Sequence, residues 1–224
     1  MEIEDEIFIV AKEAISINKA VIIENNDSYM TIEDKIAKIF YICLNDNNID
    51  IYPLISLAKE YENTVAVLTR QDVILKPLKE FSRCLKVKQF IYKGEKFVID
   101  TSYKIVPVTN DDLSYIKDHY YRIGDDDNYL KEAIFRGMIK AVDKDSSIMG
   151  FIGEHPEHAI GMLYIDEKYR RKGIGKTLEK AIINKFIDEG KIPFDHVVID
   201  NNISMSLQAS LGLELTKGII YWYF

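Results

Sequence analysis

The sequence predicts an α/β fold of the α+β type, a mixed sheet with helices on both sides. Three observations carry that prediction. Apolar runs of strand length alternate with segments of helical spacing from residue 104 onward; Asn/Asp clusters and glycines mark the ends of most of them; and one run leads directly into a glycine loop that opens a long amphipathic stretch.

Taken in order, Lys104 to Thr109 reads as a strand, and Asn110, Asp111 and Asp112 supply caps for a helix carrying Leu113 and Ile116. Asp125 to Asp127 precede a second helix with Leu130, Ala133, Ile134 and Met138 at helical spacing. Strands are expected at Met138 to Val142, at Ser147 to Gly153 and, after a turn around Pro156, at His158 to Ile165. The next helix places Ile174, Leu178, Ala181, Ile182 and Phe186 on one face, with Gly190 as a left-handed cap and Pro193 as a stop. FDHVVID, residues 194 to 200, is a further strand. Asp200 to Asn202 cap a short helix with Leu207 and Leu211, Gly212 closes it, and the β-rich tail GIIYWYF follows.

The chain changes character near residue 100, where KGEKFVIDTSYK leads into a new strand, so the expected domains are 1–100 and 101–224. In the first domain, helices are expected at Glu4 to Ile17, Ile51 to Tyr61 and Val73 to Leu85, with strands at Lys19 to Ile23, Thr64 to Leu68 and Val87 to Tyr92. It reads as a small additional α/β domain without a chemical motif.

Composition narrows the function classes. With 224 residues, 47% hydrophobic and 29% charged, the sequence describes an ordinary soluble globule. There is no long apolar run to cross a membrane, and the acidic start MEIEDE lacks the basic flank of a signal peptide, so a cytoplasmic protein is expected. Cys43 and Cys84 show neither metal spacing nor a disulfide framework, which suits a reducing compartment and no bound metal. A net charge of −7 argues against nucleic acid as a partner. Against that background Lys168, Arg170, Arg171, Lys172, Lys176 and Lys180 form a local basic cluster, which points to a specific anion.

That cluster surrounds YRRKGIGKTLEKA, Tyr169 to Ala181. A nucleotide-binding P-loop needs a glycine where Arg170 stands, and a dinucleotide fingerprint needs one where Leu178 stands, so neither fits. What survives is Arg-x-x-Gly-x-Gly, Arg170 to Gly175, between a strand and a helix. Glycines there let backbone N–H groups approach a ligand, and the helix dipole and flanking cations make a pyrophosphate cradle.

The stretch LYIDEKYRRKGIGKTLEKA resembles motif A of the GNAT superfamily of acyl-CoA-dependent N-acetyltransferases, and NNISMSLQASLGL resembles that family's second motif. The spacing FDHVVIDNNIS and the aromatic tail are similar to the glycine N-acyltransferase-like branch. The resemblance covers residues 104 to 224 and implies a GNAT-like, mostly antiparallel mixed sheet flanked by helices, with acetyl-CoA as co-substrate and a small-molecule amine as acceptor. It further implies that Arg170, Arg171, Lys172, Gly173, Ile174, Gly175 and Lys176 hold the CoA pyrophosphate. The backbone of Leu163 and Ile165, around Tyr164, would hold the pantetheine arm and polarise the thioester carbonyl, and Asn201 and Ser204 would contact the thiol end. Asn201 equally suits a plain helix cap. A homodimer is the assembly such a chain allows.

Direct transfer needs a base for the amine. Glu154, His155, Glu157 and His158, on the hairpin before the CoA-binding strand, are the nearest titratable candidates, with Tyr164 beside them; charged residues usually sit in water, so solvated hairpin positions are the more ordinary explanation of the first four. Where many family members place a Tyr as acid for the leaving thiolate, this sequence has Gln208, and an amide does not serve as an acid. Tyr221 or Tyr223 could replace it, although tail tyrosines more often pack, as does Trp222. A CoA-binding sensor and a protein N-acetyltransferase are the competing readings.

Overall fold

The computed structural model describes residues 5–45, 49–59, 61, 64–70, 75, 81–120 and 127–224. It has two compact units, Met1–Ile91 with His196–Phe224, and Tyr92–Asp195. The chain thus does not divide at a single point near residue 100, because the segment from His196 onward packs with the N-terminal residues.

The first unit opens with a 3-10 turn and helix α1 (Ile9–Ser16), which buries Ile9, Val10, Ala11 and Ala14. Strand β1 (Val21–Asn25) follows, then β2 (Tyr29–Asp34) and β3 (Ile39–Leu44), joined as an antiparallel hairpin. The strand expected at Lys19 to Ile23 starts later, because Lys19 adopts φ +58°, outside strand geometry. Helix α2 (Tyr52–Lys59) crosses over to β4 (Thr64–Thr69), which is parallel to β3. Strand β5 (Cys84–Ile91) begins where a helix over Val73 to Leu85 was expected; the other residues of that expectation lie mostly outside the described ones.

The second unit is a four-strand antiparallel meander. Strand β6 (Lys104–Pro107) is followed by a capping box in which Thr109 and Asp112 satisfy each other's backbone, and by helix α3 (Leu113–His119). Helix α4 (Asp127–Phe135) starts at the expected Asp127; Asp125 and Asp126 lie outside the described residues. It ends before Met138 because Gly137, at φ +93°, turns the chain into β7 (Ile139–Val142). Strands β8 (Ile148–Glu154) and β9 (Ile160–Ile165) continue the meander, with His158 in the turn at φ +67°. Helix α5 (Ile174–Asp188) buries Ile174, Leu178, Ile182, Ile183 and Phe186, and Gly190 closes it at φ +71° as the sequence predicts. Strand β10 (Phe194–Val198) then pairs parallel to β9 through Asp195 and Ile160.

Two helix layers cover this meander. Val108, Ile116, Leu130, Ala133, Met138, Phe151 and Met162 form one core, under α3 and α4, with Tyr164 packed against it. Leu163 and Ile165 turn the other way, toward Gly175 of α5.

The chain closes the first unit with α6 (Asn202–Ser210), β11 (Glu214–Leu215) and β12 (Ile219–Tyr223). β12 lies between β4 and β5, antiparallel to both, with Tyr221 opposite Val67 on one side and Lys86 on the other. Tyr221 and Tyr223 are fully buried with Phe40, Ile42, Leu54 and Val65 beneath α2. The tail tyrosines are core, and Trp222 packs edge-on against Tyr41 with centroids 6.5 Å apart.

Candidate active site

The glycine loop stands where the sequence places it, between β9 and α5. A 3-10 turn, Glu167–Tyr169, leads into it, capped by the Asp166 carboxylate accepting from the Lys168 N–H. Three side-chain hydrogen bonds tether the loop, one of them directly to its backbone. Arg170 Nε donates to the Ile165 carbonyl at 3.0 Å, Tyr169 Oη to Asp143 at 2.6 Å, and Tyr103 Oη to the Lys172 carbonyl.

These contacts decide which way the amides point. A peptide's C=O and N–H are opposed across a rigid plane, so turning the Lys172 carbonyl toward Tyr103 turns the Gly173 N–H away from it. The Gly173 carbonyl in turn accepts from the Thr177 N–H at 3.0 Å, which sends the Ile174 N–H out past the helix start. Arg171 at φ +63° and Gly173 at φ +86° supply the left-handed steps that make such a concave set of donors. Gly173 is the N-cap and has no side chain, and the first turn holds no acidic residue. Among the described residues, those donors therefore receive no capping side chain from the protein itself.

Arg170, Arg171, Lys172, Gly173 and Lys176 are exposed around this terminus, and Ile174 is buried. Part of the basic cluster also packs on the loop, with the Lys168 and Lys172 ammonium groups 4.9 and 5.4 Å from the Tyr169 ring centre. A Cβ on Gly175 would meet only Ile165 and Leu163 at 3.7 to 3.9 Å, ordinary contact.

β9 itself is bulged. Phe151 pairs with Tyr164 and Gly153 with Gly161, so β9 carries one residue more than β8 between these pairs. Met162 takes up the difference at φ +59°. That conformation costs about 1–2 kcal/mol in an L-residue, offset by its burial beside Met138 and Phe151. On its other edge β9 pairs only at Ile160, among the described residues. Beyond Gly161 no strand pairs with that edge among the described residues.

The hairpin candidates divide by environment. Glu154 is 1% exposed and sits in an ion cluster, accepting from Lys191 Nζ at 2.9 and 3.1 Å and lying 2.6 Å from His158 Nδ1. Burial alone would raise its pKa, but the hydrogen bonds from His158 and Lys191 outweigh it and hold the carboxyl below the usual range. His158 is buried with it, and Glu157 lies half-buried in the turn. His155 is bonded through Nδ1 to Tyr129 Oη of α4, and its imidazole fills the space a side chain on Gly161 would need. Burial pushes the Tyr129 phenol up.

Tyr164 stacks on Phe151 with ring centres 5.3 Å apart and meets His119 at 4.9 Å. Neither His119 nor Tyr129 was singled out from sequence. The signal for His119 was its spacing of four from Tyr115 on one helix face; Tyr129 gave none, since its partner comes from a hairpin distant in sequence. In the first unit, Asn201 caps α6, its side chain accepting from the Ser204 N–H at 3.1 Å. Gln208 is buried on the same helix. Among the described residues no His, Cys, Asp or Glu group is arranged to hold a metal, and no helix is long and apolar enough to cross a membrane.

A family model described as FR47-like protein matches residues 137–222, from the turn before β7 into β12. No curated protein matches the chain. Among solved structures, a Drosophila protein aligns with a TM-score of 0.64 at 14% identity, covering 88% of this chain and 74% of its own. A putative GNAT-family acetyltransferase from Novosphingobium aromaticivorans gives 0.57 at 14% identity, over 90% of this chain and 89% of its own. A GCN5-related N-acetyltransferase from Kribbella flavida gives 0.51 at 8% identity, over 97% and 93%. At such identities it is architecture that is shared, and the architecture is GNAT-like: a mixed α/β fold whose mostly antiparallel sheet is flanked by helices.

Proposed function

We propose that the protein is an N-acetyltransferase that moves an acetyl group from acetyl-CoA to the amine of a small-molecule or amino-acid-like acceptor. The observation that carries this reading is the uncapped start of α5, with outward amides from Gly173 onward, a basic rim, and the open edge of bulged β9 leading up to it. A diphosphate suits that terminus because helix N–H groups and cations act together on it. The backbone of Leu163 and Ile165 would hold the pantetheine arm. Asn201 and Ser204 enter through the family resemblance, as does the glycine N-acyltransferase-like branch.

Acetyl-CoA would supply the activated acyl carbon; the chain supplies everything else. A β9 amide at the bulge would donate to the thioester oxygen as charge develops there, an effect worth about 3–4 kcal/mol when one such donor is removed elsewhere. Among the titratable groups, Glu154 is committed to Lys191 and His158 and acts as an anchor of the hairpin. Tyr164 packs against the core under α3 and α4 and His155 is bonded to Tyr129 of α4, so on this reading both would border the acceptor amine.

The test is release of CoA thiol from acetyl-CoA with a panel of amines and amino acids, with Gly173→Glu as control. Acceptor-dependent release that the control abolishes is expected. A sensor, favoured by Gln208 at the acid position, would bind acetyl-CoA tightly without that release, and no binding at all would refute the reading.

A further inference from the structure

We infer that His119, at the end of α3, is the catalytic residue that takes the proton from the acceptor amine; this rests on the acetyl-transfer reading above. The chain has four histidines. His158 is buried against Glu154, His155 is bonded to the Tyr129 hydroxyl through Nδ1, and His196 belongs to the first unit, 3.2 Å from Gln89. His119 is different.

Its Nδ1 lies 2.7 Å from the Tyr115 carbonyl, which can only accept. Nδ1 therefore carries the proton in the neutral ring, and Nε2 carries the lone pair. No hydrogen bond to Nε2 is present among the described residues, and the ring is half-buried. The ring is also held in place: it stacks on Tyr115 at 4.1 Å and 26° and touches the Tyr164 ring at 4.9 Å. Tyr164 follows the bulge of β9 directly, so the imidazole stands one ring away from the backbone assigned to the thioester. The groups around it are Tyr115, Lys117 and Asp118 of α3, Tyr164 of β9 and Phe151 of β8, with Asp166 and Tyr169 acting on Tyr115. None is a carboxylate bonded to the ring.

In the step itself the amine nitrogen bonds to the acyl carbon while its proton passes to Nε2. The C–S bond breaks, and the departing sulfur takes a proton from water as the imidazolium returns one. The Tyr115 carbonyl keeps the imidazolium oriented throughout, the part that a hydrogen-bonded orienting group plays for a base.

The experiment compares wild type, His119→Gln and His119→Ala in three measurements: acetyl-CoA binding by calorimetry, acetyl transfer to aliphatic, amino-acid and arylalkyl amines across pH, and the His119 tautomer by nitrogen-15 NMR. Expected are binding within about twofold of wild type, a fall in kcat/KM of roughly a hundredfold or more, loss of one ionisation limb from the pH profile, and partial rescue of His119→Ala by free imidazole. The NMR should show the proton on Nδ1. Wild-type transfer and pH profile in His119→Gln, or a proton on Nε2, would overturn the assignment while leaving the acetyltransferase reading intact. Failure of wild type to bind acetyl-CoA would overturn both. Thermal melts of the variants identify any that fail to fold, and NMR of the wild type tests the tautomer independently of them.

Discussion

Replacing Glu154 by Gln removes a charge while keeping the shape, and the structure sets the size of the effect. The carboxylate is 1% exposed and bonded to Lys191 and His158. Breaking a buried pair by removing one partner costs about 3–5 kcal/mol. Lys191 and Lys185 both keep Glu189 at 2.9 Å, so neither cation is stranded, and the expected cost lies at the lower end, about 3 kcal/mol. That is roughly a hundredfold in the folding equilibrium, measurable by urea unfolding followed by circular dichroism. The sign with pH is fixed as well. A carboxyl held below its ordinary value contributes fully above about pH 4.5 and loses its contribution as pH falls through the depressed folded value. The variant should therefore lose less stability than wild type on acidification in that range. A loss under about 1 kcal/mol, or an unchanged acid limb, would refute the anchoring role. Intact stability with abolished transfer would move Glu154 into the chemistry.

Gly173→Ala should cost about 1–2 kcal/mol, since its φ of +86° is left-handed although space around it is open, and should weaken acetyl-CoA binding in calorimetry. Gly175→Ala, whose Cβ meets only ordinary contacts, should leave both stability and binding near wild type. Gly218→Ala should destabilise by about 3 kcal/mol in urea melts, because its φ is +97° and a Cβ would lie 1.9 Å from the Thr69 carbonyl oxygen. With a colorimetric thiol reagent Cys84 should react in the native protein and Cys43 only after unfolding, since burial pushes both thiols up but Cys43 is fully buried.

Sequence reading succeeded where local chemistry and tertiary packing agree. The capping residues Asn110 to Asp112, Asn201 and Gly190 stand at real helix ends because an orphan N–H or carbonyl must be satisfied within a few residues. The position of the loop from Arg170 to Gly175 was legible for a different local reason, the two glycines between an apolar run and an amphipathic stretch. The β2–β3 hairpin was not: YMTIED and IFYICL are buried almost throughout, and neither alternates in the way a strand exposed on one face does. The bulge at Met162 had no signal, because a methionine at positive φ is held there by its neighbours rather than by its own preference. Tyr129 was missed because its partner, His155, is remote in sequence; His119 showed only its spacing from Tyr115, and no local rule brings Tyr164 to it.

The placement of β12 between β4 and β5 bears on the order in which the molecule can form. Thr69 and Ile219 are bonded across 150 residues of sequence, and the whole of Tyr92–Asp195 lies within that span. Closing so long a loop while it is still flexible carries an entropic cost that grows with its length, and a loop already collapsed into a compact unit is effectively shorter. The contiguous unit is therefore expected to fold early and act as a tether that delivers the last strand. Until that strand arrives, β4 and β5 each expose an unpaired edge, and during this interval the chain is most open to pairing with the wrong partner.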